Sequence, residues 1–182
     1  RGAQRRRRRR RDRTWHQTCL MPRVYISIGS NIDRENNIRG AVRMLRQRYG
    51  TLTLSRVYET PAEGFDGEAF YNLVAGLDTD EPVERVRQAL ANIETAHGRN
   101  RGGARFSART LDLDLLLYDD LVRHADSVDI PRGEITQYAF VLGPLTELAP
   151  DLKHPETGER LRAMWDKFTG RRDLRPVALK LD

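Results

Sequence analysis

The chain has 182 residues, 32 Lys and Arg against 26 Asp and Glu, a formal charge of +6 and one cysteine. That length suits one domain with a full core. A lone Cys19 rules out an internal disulfide, which predicts a cytoplasmic protein, and no apolar run nears the ~20 residues of a membrane span.

The charge is uneven. Residues 1–20 hold nine arginines and one aspartate, a net +8, which leaves −2 for residues 21–182. Arg5 to Arg11 is an unbroken arginine run that cannot pack and is expected to be disordered. A nucleic-acid or anionic-surface arm is one reading of it. An upstream extension without a role is the stronger one, because Met21-Pro22 stands just before the first strand. We therefore expect a tail or non-native extension at 1–22 and a single domain at 23–182, with no nucleic-acid or membrane partner.

Residues 24–28 alternate as a strand with Val24, Ile26 and Ile28 inward, broken at Gly29. Asp33 is placed to cap the next helix. Its stripe is Ile38, Ala41, Val42, Leu45 and Tyr49, and Gly50 ends it. Residues 52–58 read as a strand closed by Thr60-Pro61. Residues 62–69 form a loop able to move. Residues 70–77 form a third strand, with Asn72, Val74 and Gly76 on one face and Leu73, Ala75 and Leu77 on the other. Asn72 offers a donor and an acceptor, either to the edge of a heterocycle or to a nearby turn. A second helix begins at Asp80 or Glu81 with Pro82 in its first turn. Its stripe is Val83, Val86, Leu90, Ile93 and His97, with Glu94 beside it. His97 reads as a boundary residue, not a metal ligand.

Residues 98–108 form a second mobile loop. Arg99, Arg101, Arg105 and Arg109 are spaced there by Gly98, Gly102 and Gly103, a pattern that suits phosphates or a plain solvated loop. It runs into a strand with Leu111, Leu113, Leu115 and Leu117 on one face and Thr110, Asp112 and Asp114 on the other. Two carboxylates about 6.6 Å apart along a strand repel unless a cation sits between them. Mg²⁺ fits, and so do ordinary acids on a wet face. Arginines beside metal-binding carboxylates are the apparatus of phosphoryl transfer, which works by positioning and charge stabilisation.

Asp119-Asp120 predicts a turn, with Leu121-Val122 continuing as a hairpin, and Ile130-Pro131 closes that region. A helix is expected at 138–148, with Pro144 in an early turn or at a bend. A surface loop follows at 151–158, then a helix at 161–168 anchored by Trp165, and a short edge strand at 176–179. The order strand, helix, strand, strand, helix, strand predicts an α+β fold. Its expected form is a ferredoxin-like split β-α-β sandwich with right-handed crossings and added C-terminal helices.

Four segments occur in series: Ile28-Gly29-Ser30-Asn31, Tyr58-Glu59-Thr60-Pro61, Phe70-Tyr71-Asn72 and Arg109-Thr110-Leu111-Asp112-Leu113-Asp114. Together they resemble the 6-hydroxymethyl-7,8-dihydropterin pyrophosphokinases of folate biosynthesis, over about residues 23–168. The resemblance implies pyrophosphoryl transfer from ATP to the pterin hydroxymethyl, giving AMP, by a monomer with two Mg²⁺. It implies that Asp112 and Asp114 ligate the metal and that Arg99 and Arg109 grip the transferred phosphates. Glu94 and Arg101 fall on the ATP side. Asn72 reads the pterin edge, Thr60 and Pro61 line its pocket, Phe70 and Phe140 sandwich the ring, and Phe106 caps the closed site on the cofactor side. One region departs. The family commonly has a histidine after the proline matched by Pro131, and an arginine two residues before the aromatic matched by Phe140. Here those places are Arg132 and Tyr138, and Arg132 is expected to supply the missing nucleotide contact. A paralogue acting on a related reduced pterin, or a silent pterin- or nucleotide-binding protein, are the alternatives.

Overall fold

The computed structural model describes residues 21–62, 67–98, 110–125 and 127–181. The Arg-rich tail, most of the 98–108 loop, residues 63–66 of the earlier loop, and the site candidates Arg99, Arg101, Phe106 and Arg109 lie outside the described residues.

The elements are β1 (Arg23–Ser30), α1 (Arg34–Tyr49), β2 (Thr53–Leu54), β3 (Val57–Thr60), β4 (Phe70–Asp78) and α2 (Val83–Ala96). They continue with β5 (Asp112–Tyr118), β6 (Arg123–Ala125), β7 (Val128–Ile130), α3 (Glu134–Gln137), α4 (Ala139–Leu148), α5 (Leu161–Lys167) and β8 (Arg175–Val177). The main sheet runs β5-β1-β4-β3-β8, with β2 also on β4, and its pairings are antiparallel. β6 and β7 pair separately.

Both sheet faces are covered, which is why β1 is buried from Val24 to Ser30. Under α1 and α2, Val24, Ile26 and Ile28 meet Leu73 and Leu77, the α1 stripe and Leu111, Leu113 and Leu115. On the opposite face, Tyr25, Val74, Leu116 and Leu117 pack against Val141, Leu142 and Leu145 of α4. The alternations expected in β1 and β4 therefore hold. The expected face of Leu117 does not. Tyr25 pairs with Leu117 and Ile26 with Leu115, so Leu116 is an extra residue, a β-bulge. A bulge resets the period of two and sends Leu117 to the α4 side.

Other expectations are corrected. The strand expected at 52–58 is split at Ser55-Arg56 into β2 and β3. Ser55 leaves the ladder to bond Val74 through both backbone and side chain. The hairpin lies at β6–β7, not at Leu121-Val122. Asp33 is the N-cap of α1 but sits in the left-handed region, and its carboxylate accepts from Asn36 Nδ2 at 3.0 and 3.2 Å, not from a first-turn amide. Pro82 is the cap residue of α2, outside its first turn. His154, in the expected surface loop, is buried, and burial pushes its imidazole below the ordinary value. Pro144 lies inside α4, where it lacks an amide for the Phe140 carbonyl. The edge strand appears as β8 on β3, and Trp165 packs at 6.1 Å on Phe168.

Glu147 ties α4 to β3. It accepts from Tyr58 Oη at 2.7 Å and from the Arg56 amide and Nε at 3.2 Å. Burial, with the Glu147 carboxylate next, pushes the Tyr58 hydroxyl up to about 12, so it stays a donor at neutral pH. Glu147→Ala leaves that buried hydroxyl without this acceptor and is expected to cost about 1 to 3 kcal/mol in urea unfolding. The same change made on Tyr58→Phe should cost clearly less. An equal loss in both backgrounds would show that the pair is not coupled.

Candidate active site

The Gly29-Ser30-Asn31 break at the end of β1 positions its neighbours. Gly29 pairs with Asn72 on one side and with Asp112 on the other. A Cβ on Gly29 would stand 2.8 Å from Asn72 Oδ1, so glycine is what lets the asparagine lie across β1. Ser30 Oγ donates to the Thr110 carbonyl, tying the end of β1 to the start of the acidic strand. Asn31 Nδ2 donates to the Glu68 carbonyl at 3.2 Å, tying it to the approach to β4. Asn72 Nδ2 donates to Thr60 Oγ1 at 2.7 Å, and both residues are buried. Asn72, Gly29 and Asp112 thus form one row across three strands. Two interstrand steps separate its ends by about 10 Å.

Asp112 and Asp114 face away from the α1–α2 core, as expected, since Leu111, Leu113 and Leu115 occupy it. β5 is the edge of the main sheet. An edge amide needs a partner, and Leu113 N–H donates to Glu94 Oε1 at 2.9 Å. Glu94 is 5% exposed and so holds the strand between its two carboxylates. Asp114 accepts from Arg132 Nη2 at 3.0 Å, and the same nitrogen reaches Glu134 at 3.2 Å. Arg132 is set by its own backbone bond to the Leu116 carbonyl. Its Nε is buried with no hydrogen-bond partner among the described residues. Sequence reasoning missed Glu134 because α3, which carries it, was not foreseen.

Two clefts lie beside neighbours of the row, one at Asp114 and one at Thr60, the partner of Asn72. One, of about 710 Å³, is lined by Glu94, Asp114, Arg132 and Arg87 among others. The other, of about 260 Å³, lies between Thr60-Pro61 and Ala139-Phe140. The structure therefore brings Glu94, Asp114 and Arg132 to the first cleft, and Thr60, Pro61 and Phe140 to the second. Asn72 and Asp112 lie on the row between. Phe70 pairs with Thr60 at the end of the β3–β4 ladder. Tyr138, at the departing position, stacks on Phe140 with centroids 5.1 Å apart. Arg171, Asp173 and Leu174 also line the smaller cleft. Nothing in their local sequence signalled that, because they reach it only through the pairing of β8.

Comparison with known proteins decides the family. A family model described as 7,8-dihydro-6-hydroxymethylpterin-pyrophosphokinase (HPPK) matches residues 25–150. The chain belongs to the HPPK family. It is 35% identical over 139 residues to the 2-amino-4-hydroxy-6-hydroxymethyldihydropteridine pyrophosphokinase of Porphyromonas gingivalis, covering 73% of this chain and 94% of that protein. It is 36% identical over 149 residues to the folic acid synthesis protein fol1 of Schizosaccharomyces pombe, covering 80% of this chain. The match spans only 20% of that protein's length. In fold it resembles Plasmodium falciparum HPPK-DHPS, with a TM-score of 0.64 at 13% identity over 81% of this chain and 44% of the other. That likeness speaks for an α+β fold with an antiparallel sheet. Among the described residues no helix is long and apolar enough to cross a membrane.

Gly29→Ala is expected to push Asn72 off Thr60 and to destabilise the HPPK domain by about 1 to 3 kcal/mol, the ordinary cost of overpacking. Adding Asn72→Ala removes the obstacle and should recover part of the loss. Urea midpoints of the two single variants and the double variant check this, and simple additivity would contradict the close approach.

Proposed function

We propose that this domain transfers the β,γ-pyrophosphoryl group of ATP to 6-hydroxymethyl-7,8-dihydropterin, giving AMP and the pterin diphosphate. The observation that carries the reading is the row Asn72-Gly29-Asp112, with a heterocycle-sized cleft on one side and an Arg- and carboxylate-lined cleft on the other. In this reading the ring stacks on Phe140 between Thr60-Pro61 and Phe70, with its polar edge toward Asn72. The triphosphate lies in the larger cleft. The hydroxymethyl oxygen then bonds to the β-phosphorus and gives up its proton to solvent as the bond from that phosphorus to the α–β bridging oxygen breaks, and AMP leaves.

Asp112 and Asp114 fit Mg²⁺: two carboxylates on one strand face, with Arg132 already drawn to one of them. Bound there, Mg²⁺ would offset charge on the phosphate oxygens. Glu94 holds the strand that presents both carboxylates. Arg99, Arg101 and Arg109 supply phosphate contacts, and Phe106 caps the closed site, on the family resemblance alone. The strand order β5-β1-β4-β3 supports a ferredoxin-like core within one domain over 23–182. We take the enzyme to be a cytoplasmic monomer. A second reading, a related reduced pterin as acceptor, is favoured by Tyr138, which brings an aromatic surface where the family commonly carries charge.

Asp112→Asn and Asp114→Asn are each expected to lower turnover by about 100-fold or more. Both should change the melting temperature far less than they change turnover, since each removes a metal-binding charge but also relieves a like-charge pair. Turnover of AMP-forming activity, measured across a Mg²⁺ titration, checks this. An unchanged Mg²⁺ dependence in both variants would remove the metal assignment.

Arg132→Ala is expected to weaken binding of a non-hydrolysable ATP analogue about ten- to a hundredfold. Pterin binding should change little. Calorimetric titration of both ligands decides it, and equal nucleotide affinity in variant and parent would leave Arg132 with only a structural part. Titrating several reduced pterins into the parent separates the two readings of the acceptor.

A further inference from the structure

Two of the four segments that carry the family pattern contain a residue to which the reaction gives no part: Glu59 in β3 and Tyr71 in β4. Both touch one side chain, that of Arg34, the first residue of α1. Arg34 Nη2 pairs with Glu59 Oε2 at 3.0 Å. Its Nη1 donates to the Ala69 carbonyl at 2.9 Å. Its Cζ lies 4.0 Å from the centroid of the Tyr71 ring. Asn31 holds the preceding carbonyl, that of Glu68. The Arg34 and Glu59 side chains are 29% and 18% exposed, so solvent screens their pairing only in part.

Strand alternation says what this grip does. Glu59 and Tyr71 are partners across β3 and β4, and Thr60 and Phe70 are the next and last pair. Val57 and Tyr71 face the α1–α2 core, whereas Tyr58 reaches Glu147 of α4 on the opposite face. A period of two then puts Thr60, Phe70 and Asn72 on the α4 face, where the smaller cleft lies. Arg34 therefore stands behind that cleft. It holds β3 through Glu59, one residue before Thr60. It holds β4 through Ala69 and Tyr71, the two neighbours of Phe70. The last rung of a ladder is the first to fray unless something holds it.

We infer that Arg34 is a positioning residue for the pterin: it grips both strands from the reverse face and so sets the spacing of Thr60-Pro61 from Phe70. The inference rests on the pterin reading above and deepens it. A guanidinium suits the task because its fork reaches a carboxylate and a carbonyl at once while its face lies on a ring. A lysine ammonium has no such geometry. Glu59 takes Arg175 of β8 on its other oxygen, so removing Arg34 does not leave that carboxylate without a cation.

The test is calorimetric titration of the full chain with 6-hydroxymethylpterin in the presence of Mg²⁺ and a non-hydrolysable ATP analogue, and with the analogue alone. Arg34→Ala is expected to weaken the pterin about tenfold and to leave the analogue within about twofold of the parent. Arg34→Lys keeps the charge without the fork and should recover only part of the loss. Arg175→Ala removes the other partner of Glu59 and should leave pterin affinity within about twofold. Stoichiometry separates positioning from stability. A variant that merely folds less well binds the pterin with the parent's constant and a lower stoichiometry, and that result overturns the assignment while the pterin reading stands. Complete recovery in Arg34→Lys, or an equal loss in Arg175→Ala, overturns it too. A parent that binds the analogue but not the pterin overturns both.

Discussion

Two like charges on one face of an edge strand are the constraint from which the site follows. Asp112 and Asp114 cannot turn inward, because Leu111, Leu113 and Leu115 fill the α1–α2 core. They cannot be neutralised by a neighbouring strand, because β5 has only β1 beside it in the main sheet. The protein answers with Arg132 on one carboxylate and with Glu94, which holds the backbone amide between them. A carboxylate that accepts the Leu113 amide, on the strand that carries two more carboxylates, suits a face that meets cationic partners. The arrangement fixes the strand and gathers charge at its edge. That combination suits a site whose ligands bring metal and phosphate with them.

The other half of the site depends on an absence. Gly29 has no side chain, so Asn72 can lie over β1 and bond to Thr60. Any larger residue there would separate the neutral, hydrogen-bonding end of the row from the acidic end. With glycine, the two ends stand about 10 Å apart on the two strands that flank β1 in one twisted sheet. A flat heterocycle and a polyphosphate can then meet over the same strand. α4 frames the smaller cleft through Phe140, and its own position is fixed at the far end by Glu147 on β3.

Much of this was legible in the sequence. Alternation placed β1 and β4 with their correct faces, and the D-x-D spacing put both carboxylates outward. Asn72 was read as a donor and acceptor for either a ring edge or a nearby turn, and its amide lies on Thr60. What could not be read has physical causes. The bulge at Leu116 adds one residue, and a period-two argument has no means of detecting an insertion in the partner's register. Glu94 looked like a flank of a helical stripe. Its part as cap of an edge strand depends on a contact 19 residues away. Glu134 sits on a four-residue helix too short to leave a periodic signal. Arg171 and Asp173 belong to a polar tail whose position is set by the pairing of β8 with β3, a long-range event with little local trace. The fold was thus visible wherever burial imposes a period, and the site wherever charge imposes a pattern. Side chains that act through tertiary contacts were silent.

The account's central claim is that the two clefts on either side of Gly29 take the two substrates. A crystal structure of the protein with Mg²⁺, a non-hydrolysable ATP analogue and 6-hydroxymethylpterin tests it most directly. The account predicts the ring on Phe140 beside Thr60 and Asn72, the triphosphate against Asp114 and Arg132, and the hydroxymethyl oxygen pointing over Gly29 toward the β-phosphorus. Both ligands in one cleft, or a triphosphate remote from Asp112 and Asp114, would contradict it.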